Sequence, residues 1–353
     1  MGVLYTVYRL PSQPPDVNIL VVSSYPPTRC GIARYAFQQV QHLTAQGHTV
    51  RVMSIDGRGD TNYVLDLSTP TTAARSLATM ARFERVVVHF APGLLPPDPE
   101  SRKTFYRSLR DAARSNKSVP VEIVVHESDY PGGWRAKRYL SALWKSADRL
   151  IFHTTIERDR FARCFRSVPS SRLKLATHES EFSKFYTGTA EEARRALDIP
   201  EGHTVFVSCG FFYEGKGVDR AIRVFERSQA LLGDARYYVV GTARVPEHEA
   251  YGESLKAAAA PLANVSVIDD FVDDETFDKW IVAADCILLP YRSIWSSGVM
   301  ARAALYARPV IATDVGGLRD QAGPNDVVVT DDRELADAIV AFGSGTVLAP
   351  RDK

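Results

Sequence analysis

The sequence predicts an α/β protein built from two Rossmann-like, doubly wound domains. Short β-branched runs alternate with helical patterns along the chain, the sign of βαβ units whose parallel sheets are covered on both faces. The alternation pauses at a linker-like stretch past the middle and then starts again. With 353 residues and roughly 150 residues per domain, the length leaves room for two cores.

Taken in order, the first sixteen residues, with Pro11, Pro14 and Pro15, read as an extension outside the first sheet. Strands are expected at 17–22, 50–55, 85–90, 121–126 and 149–153. Between the first two, residues 31–46 form a helix: Ala33, Ala36, Phe37, Val40 and Leu43 share one face, and Gly47 stands at the C-terminal cap position. Residues 182–202 carry Gly188, Thr189, a short acidic-basic helix pattern and Pro200-Glu201-Gly202, a composition suited to a linker and the entry of a new domain. The boundary is placed near Thr187, giving domains 1–186 and 187–353. Strands at 204–209, 236–241, 264–268, 286–290, 309–313 and 326–330 then make a second open sheet, with helices at 299–307 and 334–342. In open α/β sheets ligands sit beyond the carboxyl ends of the strands, so two such domains facing a central cleft would form the site from the loops after their strands.

Composition narrows the partners. Lys+Arg 43 against Asp+Glu 42 gives no electrostatic reason to expect nucleic acid, and any phosphate site must be local. No apolar run reaches the ~18 residues of a membrane span, since the longest are cut by Asp285 or by Pro92, Pro96 and Pro97. The start of the chain shows no secretory pattern, so a cytoplasmic address is expected. Cys30, Cys164, Cys209 and Cys286 have no metal-like spacing; they are expected to be buried thiols, and no metal is expected.

Three loops and one strand end attract attention. The stretch Ser23-Ser24-Tyr25-Pro26-Pro27-Thr28-Arg29-Cys30 delivers Gly31 to a helix start, where exposed N–H groups favour an anion; a tight turn needing small residues accounts for it equally. The loop Cys209-Gly210-Phe211-Phe212-Tyr213-Glu214-Gly215-Lys216-Gly217 opens another helix and sets Lys216 beside a helix N-terminus. A cation is disfavoured there unless an anion is shared with it, the alternative being a solvated lysine. Ser296, Ser297, Gly298 and Val299 offer hydroxyls and N–H groups at a third helix start. His126 ends a strand in Val125-His126-Glu127, a position as compatible with a structural hydrogen bond as with chemistry.

Together with Gln46-Gly47-His48-Thr49-Val50, Ala284-Asp285-Cys286-Ile287-Leu288-Leu289-Pro290 and Arg308-Pro309-Val310-Ile311-Ala312-Thr313-Asp314-Val315-Gly316-Gly317, these segments resemble, in order and over nearly the whole chain, the retaining family 4 glycosyltransferases of the GT-B fold. The resemblance implies a hexosyltransferase-like enzyme moving a sugar from a nucleotide-sugar donor, with retention and without a bound metal. It also implies a donor-binding second domain and an acceptor-side first domain. Lys216 matches the family lysine on the donor pyrophosphate, Gly298 and its neighbours the amides on the distal phosphate, Gly31 the first-domain glycine near the phosphates, and His126 the histidine near the reacting carbon.

The same resemblance exposes departures. Phe211 stands where the family has an arginine five residues before the lysine, and Ile294 and Arg302 stand where it has two glutamates. A guanidinium is a donor-only group and would not grip a ribose diol. It would suit a phosphorylated or acidic donor, or a structural ion pair. Family members also usually continue beyond the last helix to brace the first domain. These departures leave as alternatives a catalytically degenerate scaffold serving as a binding or partner subunit, and a transferase with an unusual donor read by Arg302. The acceptor is unidentified: small molecule, lipid-linked or polysaccharide. The basic turn Trp134-Arg135-Ala136-Lys137-Arg138 leaves peripheral contact with an anionic membrane open beside a plain solvated turn.

Overall fold

The computed structural model describes residues 17–55, 57, 61–96, 98–127, 134–177 and 182–345, with backbone alone for 134–136. The expected extension 1–16 and the start of the basic turn, 130–136, lie outside the residues described with side chains. Two compact units divide the chain, Met1–Phe182 and Ser183–Lys353.

The first unit holds a parallel sheet of β1 (Asn18–Ser23), β2 (Thr49–Ser54), β3 (Tyr63–Val64), β4 (Arg85–Phe90), β5 (Val121–Val125), β6 (Arg149–Phe152) and β7 (Leu173–Leu175), in the order β3-β2-β1-β4-β5-β6-β7. Every residue of β4 and β5 is buried, as expected of central parallel strands covered on both faces. The charged residues among them are tied together: the Arg85 guanidinium donates to Glu122 at 2.7 Å and Arg149 to its other oxygen at 2.9 Å. β3 and β7, unforeseen in the sequence, are edge strands of two and three residues, too short to show a period.

The second unit repeats the plan with β8 (Val205–Cys209), β9 (Arg236–Gly241), β10 (Val265–Asp269), β11 (Cys286–Leu289), β12 (Val310–Thr313) and β13 (Val327–Val329), all parallel, in the order β10-β9-β8-β11-β12-β13. All six expected strands are present within a residue or two of their expected ends, the usual scatter of element boundaries. This unit begins at Ser183, ahead of Thr187, because the segment between them is sewn to it. Phe185 N–H donates to the Asp278 carboxylate at 2.8 Å, and the Tyr306 hydroxyl donates to the Tyr186 carbonyl at 3.0 Å. In each sheet the strand order reverses beside its first strand, between β1 and β4 and between β8 and β11, the positions where open sheets take ligands. All four cysteines are free, Cys164 half-buried and the others buried.

Candidate functional site

At the switch point of the second sheet, three loops lock into one platform. The loop leaving β8 ends in a 3-10 turn, Glu214–Lys216, and reaches the helix Val218–Arg227 through Gly217 at φ 58°. A side chain at Gly217 would collide with the Pro290 carbonyl oxygen, so glycine serves both the left-handed backbone and the close approach to the loop after β11. The Gly215 carbonyl accepts from Arg292 N–H at 2.8 Å. Gly316, in the exit from β12, has φ 56°, and a side chain there would strike the Ile294 carbonyl oxygen. A charged clamp reinforces this: Asp219 accepts both Arg292 nitrogens at 2.6 Å, Arg223 at 2.7 Å and the Tyr251 hydroxyl at 2.8 Å. Burial alone would raise the Asp219 carboxyl, but these donors outweigh it and hold the group well below the ordinary carboxylate range.

Lys216 stands on that platform without a counter-ion. It is half-buried, with Nζ 4.0 Å from the centre of the Tyr291 ring and 5.8 Å from that of Tyr213. Among the described residues it makes no ion pair or hydrogen bond. Burial lowers its pKa, opposed weakly by Tyr213. The ring faces supply quadrupole attraction, which offsets only part of the desolvation. Tyr291 is itself buried, its hydroxyl without a hydrogen-bond partner among the described residues.

There Ser297, only 1% exposed, caps the helix Gly298–Leu305: its hydroxyl accepts from Met300 N–H at 3.2 Å, and its own N–H donates to Gln321 Oε1 at 2.7 Å. The Ser297 side chain is therefore occupied in capping. The N–H groups of Gly298 and Val299 have no acceptor among the described residues, and Ser296 is half-buried with its hydroxyl likewise unengaged. An ammonium and two helix-end N–H groups, on loops that leave neighbouring strands at the switch point, are donors suited to the oxygens of a diphosphate.

Two further expected site residues have partners of their own. Phe211 stacks on Phe271 at 5.9 Å and 21°, filling the arginine position with an apolar pair that offers no charge. Arg302 corrects the expectation that it contacts a donor. It is 4% exposed, held 2.7 Å from Asp274 and 2.7 Å from Asp278, with Phe277 and Phe185 against its guanidinium at 5.0 and 5.5 Å. Burial raises the Asp278 carboxyl despite the neighbouring Arg302. Of the readings open from sequence, the structure takes the structural ion pair, and the reading of an unusual donor through Arg302 falls with it. Arg302→Met leaves the buried Asp278 and the half-buried Asp274 without their cation and is expected to cost about 3–5 kcal/mol of stability, read from urea unfolding. Nucleotide affinity of the folded fraction is expected to stay unchanged.

In the first unit, adjacent strands bring three histidines to one place. His89 lies within β4, His126 follows β5 and His153 follows β6. Tyr35, on the helix Gly31–Ala45, meets all three rings with centroids 5.3, 5.0 and 5.3 Å away. His126 Nε2 lies 3.2 Å from His89 Nδ1, and His89 Nε2 lies 2.8 Å from Gln39 Oε1. With the Gln39 oxygen accepting, His89 carries its proton on Nε2, and its Nδ1 accepts from His126 Nε2–H. Burial, with His153 nearby, lowers His89 to about 3; burial lowers His153 to about 4 against the pull of the Ala176 carbonyl. The outer pair is thus held neutral. Among the described residues no group of three His, Cys, Asp or Glu has an arrangement that could hold a metal ion. Gly31 opens the neighbouring helix, and a Cβ built there meets nothing within 4 Å. His89, His153, Tyr35 and Gln39 were not singled out from sequence; the available signal was a histidine at or just past the end of three successive strands.

Comparison with known proteins bears on the fold and on the second unit. Residues 203–343 match the family model for Glycosyl transferases group 1. Over 136 residues the chain is 31% identical to the 2-deoxystreptamine N-acetyl-D-glucosaminyltransferase of Streptomyces fradiae; the match covers 38% of this chain and spans 31% of that relative's length. Among solved structures, HepE of Anabaena, in complex with UDP-glucose, superposes with a TM-score of 0.70 at 14% identity over 94% of this chain and 93% of that one. The sucrose-phosphate synthase of Thermosynechococcus elongatus gives 0.66 at 15% identity over 93% and 91%. The chain has the GT-B fold, and the match to the group 1 glycosyltransferase model falls within its second unit. Among the described residues no helix is long and apolar enough to cross a membrane.

Proposed function

Because a glycosyl transferases group 1 domain sits here on a GT-B scaffold, we propose that the protein is a retaining, family 4 type glycosyltransferase that takes its sugar from a nucleotide-sugar of the UDP class. The observation that carries this reading is the Lys216 ammonium, half-buried over the Tyr291 ring and, among the described residues, without a counter-ion, with the N–H groups of Gly298 and Val299 likewise without an acceptor among them. Together these groups are assigned as the cradle for the diphosphate of the donor. A cation and a helix dipole fixed in place stabilise charge that grows on a leaving phosphate without reorganising during the reaction. The UDP-glucose bound in the Anabaena structure supports the donor class. No residue of this chain is assigned to hold a metal.

His126 is assigned to the reacting sugar, with His89 as the group that positions it. The Gln39–His89–His126 chain fixes which His126 nitrogen carries the proton. His89→Phe removes the acceptor for His126 Nε2–H and is expected to lower kcat by about 10²-fold, the scale of a misaligned reacting group, with the KM for the donor unchanged.

The test of the reaction is release of nucleoside diphosphate from UDP-sugars over a panel of hydroxylated acceptors, with the anomeric configuration of the product read by proton NMR. A product with the configuration of the donor is expected. An inverted product removes the retaining assignment, and the absence of both nucleotide binding and turnover on any acceptor would favour the binding- or partner-subunit reading that Phe211, Ile294 and Arg302 invite.

A further inference from the structure

A second, unassigned feature lies on the first unit: an open pocket of about 450 Å³ between the helix Trp134–Trp144, the helix Thr155–Cys164 and the turn that follows it. Lys137, Arg163 and Arg166 line it, with Ser141 and Ser167, whose hydroxyl oxygens lie 3.3 Å apart. Among the described residues none of the three cations makes an ion pair or a hydrogen bond. Elsewhere on the same unit cations are paired, Arg110 with Asp111 at 2.6 Å and Arg158 with Asp159 at 2.7 Å.

The imbalance is built into the sequence. Between residues 131 and 172 there are ten Lys or Arg and three Asp or Glu, in a chain whose formal net charge is +1. All three acids are engaged away from the pocket. Asp148 accepts from Val121 N–H at 2.8 Å, Asp159 holds Arg158, and Glu157 is fully buried and pushed by that burial to about 8. Lys137, Arg163 and Arg166, all exposed, line one cavity as like charges, an arrangement that a polyanion between them neutralises. Two guanidinium forks bind phosphate oxygens in pairs, the ammonium adds a compact charge, and two hydroxyls complete the donors. A single carboxylate would occupy one fork and leave the others idle.

We propose that this pocket binds a phosphate monoester group. The helix that carries Arg163 begins two residues past His153 and runs ten residues, about 15 Å, so the pocket stands apart from the histidine cluster, and its occupancy is read without any transfer activity. The ester belongs either to a soluble phosphorylated molecule or to a lipid headgroup.

The test uses the full chain, inorganic phosphate by calorimetry, and flotation with phosphatidylcholine vesicles with and without phosphatidic acid. The pocket variant is Lys137→Ala/Arg163→Ala/Arg166→Ala. The control, Lys103→Ala/Arg110→Ala/Arg158→Ala, removes the same charge from paired positions on the same unit. Wild type is expected to bind phosphate at one site, with affinity at least ~10-fold weaker in the pocket variant and unchanged in the control. Arg163→Lys/Arg166→Lys, which keeps charge and loses the forks, is expected between the two. Pocket-dependent capture by phosphatidic acid vesicles assigns the headgroup, and phosphate binding without capture assigns the soluble ester. Absence of both, or an equal loss in the control, overturns the proposal.

Discussion

Lys216→Ala is expected to lower kcat/KM for donor turnover by about 10²–10³-fold, the scale of removing one preorganised group that stabilises the developing charge. Stability is expected to stay within about 0.5 kcal/mol of the wild type. The two effects separate for a physical reason. Among the described residues the Lys216 ammonium makes no ion pair or hydrogen bond, and burial already lowers its pKa. Deleting it therefore removes a mildly unfavourable burial and no internal bond, while a bound diphosphate loses the one ammonium of its cradle. Phe211, in place of a second cation, offers no charge to substitute for it. A fully active transferase carrying Lys216→Ala would sink the assignment of the cradle and leave the fold untouched.

The stability of the first unit is expected to peak near pH 6.5 and to fall on both sides. Burial lowers His89 and His153 from 6.5 to about 3 and about 4, so the native state binds fewer protons than the unfolded state below pH 6.5. Their contribution is present above the unfolded value and is lost as pH falls, on the order of 3–5 kcal/mol for each at the acid end, at about 1.4 kcal/mol per pKa unit. Glu157 acts in the opposite sense. Burial raises it from 4.5 to about 8 against the bonds from Thr154, so its contribution is present below the unfolded value and is lost as pH climbs through the folded one, again on the order of 4 kcal/mol. Hydrogen exchange of the β5 and β6 amides, followed from pH 4 to pH 8, reads both limbs, and Glu157→Gln is expected to flatten the alkaline one. Protection in the wild type that is constant from pH 6.5 to 8 would contradict the burial of an ionisable Glu157.

Both sheets were legible because parallel strands buried on two faces leave continuous apolar runs, as in Arg85–Phe90 and Cys286–Leu289. The positions of Lys216, Ser297 and Gly298 at helix starts were legible because each lies in one contiguous loop that opens a helix. What was not legible depends on residues far apart in sequence. Arg302 looks like an anion ligand until the helix Asp274–Ala283 brings Asp274 and Asp278 to it. The clamp of Arg292 on Asp219 joins positions in separate loops. The His89–His126 contact follows from the register of β4 on β5, in which His126 N–H donates to the Phe90 carbonyl at 2.9 Å, and no single window of sequence contains it.

The most direct test of the diphosphate cradle is a calorimetric titration of the full chain with UDP, UMP and uridine, extended to GDP, ADP and dTDP. UDP is expected to bind at one site, UMP at least ~10-fold more weakly, a loss of about 1.4 kcal/mol, and uridine not measurably, with the UDP advantage abolished in Lys216→Ala. Equal affinity for UDP and UMP, or no binding across the panel, would contradict a site built on Lys216 and the start of the helix at Gly298.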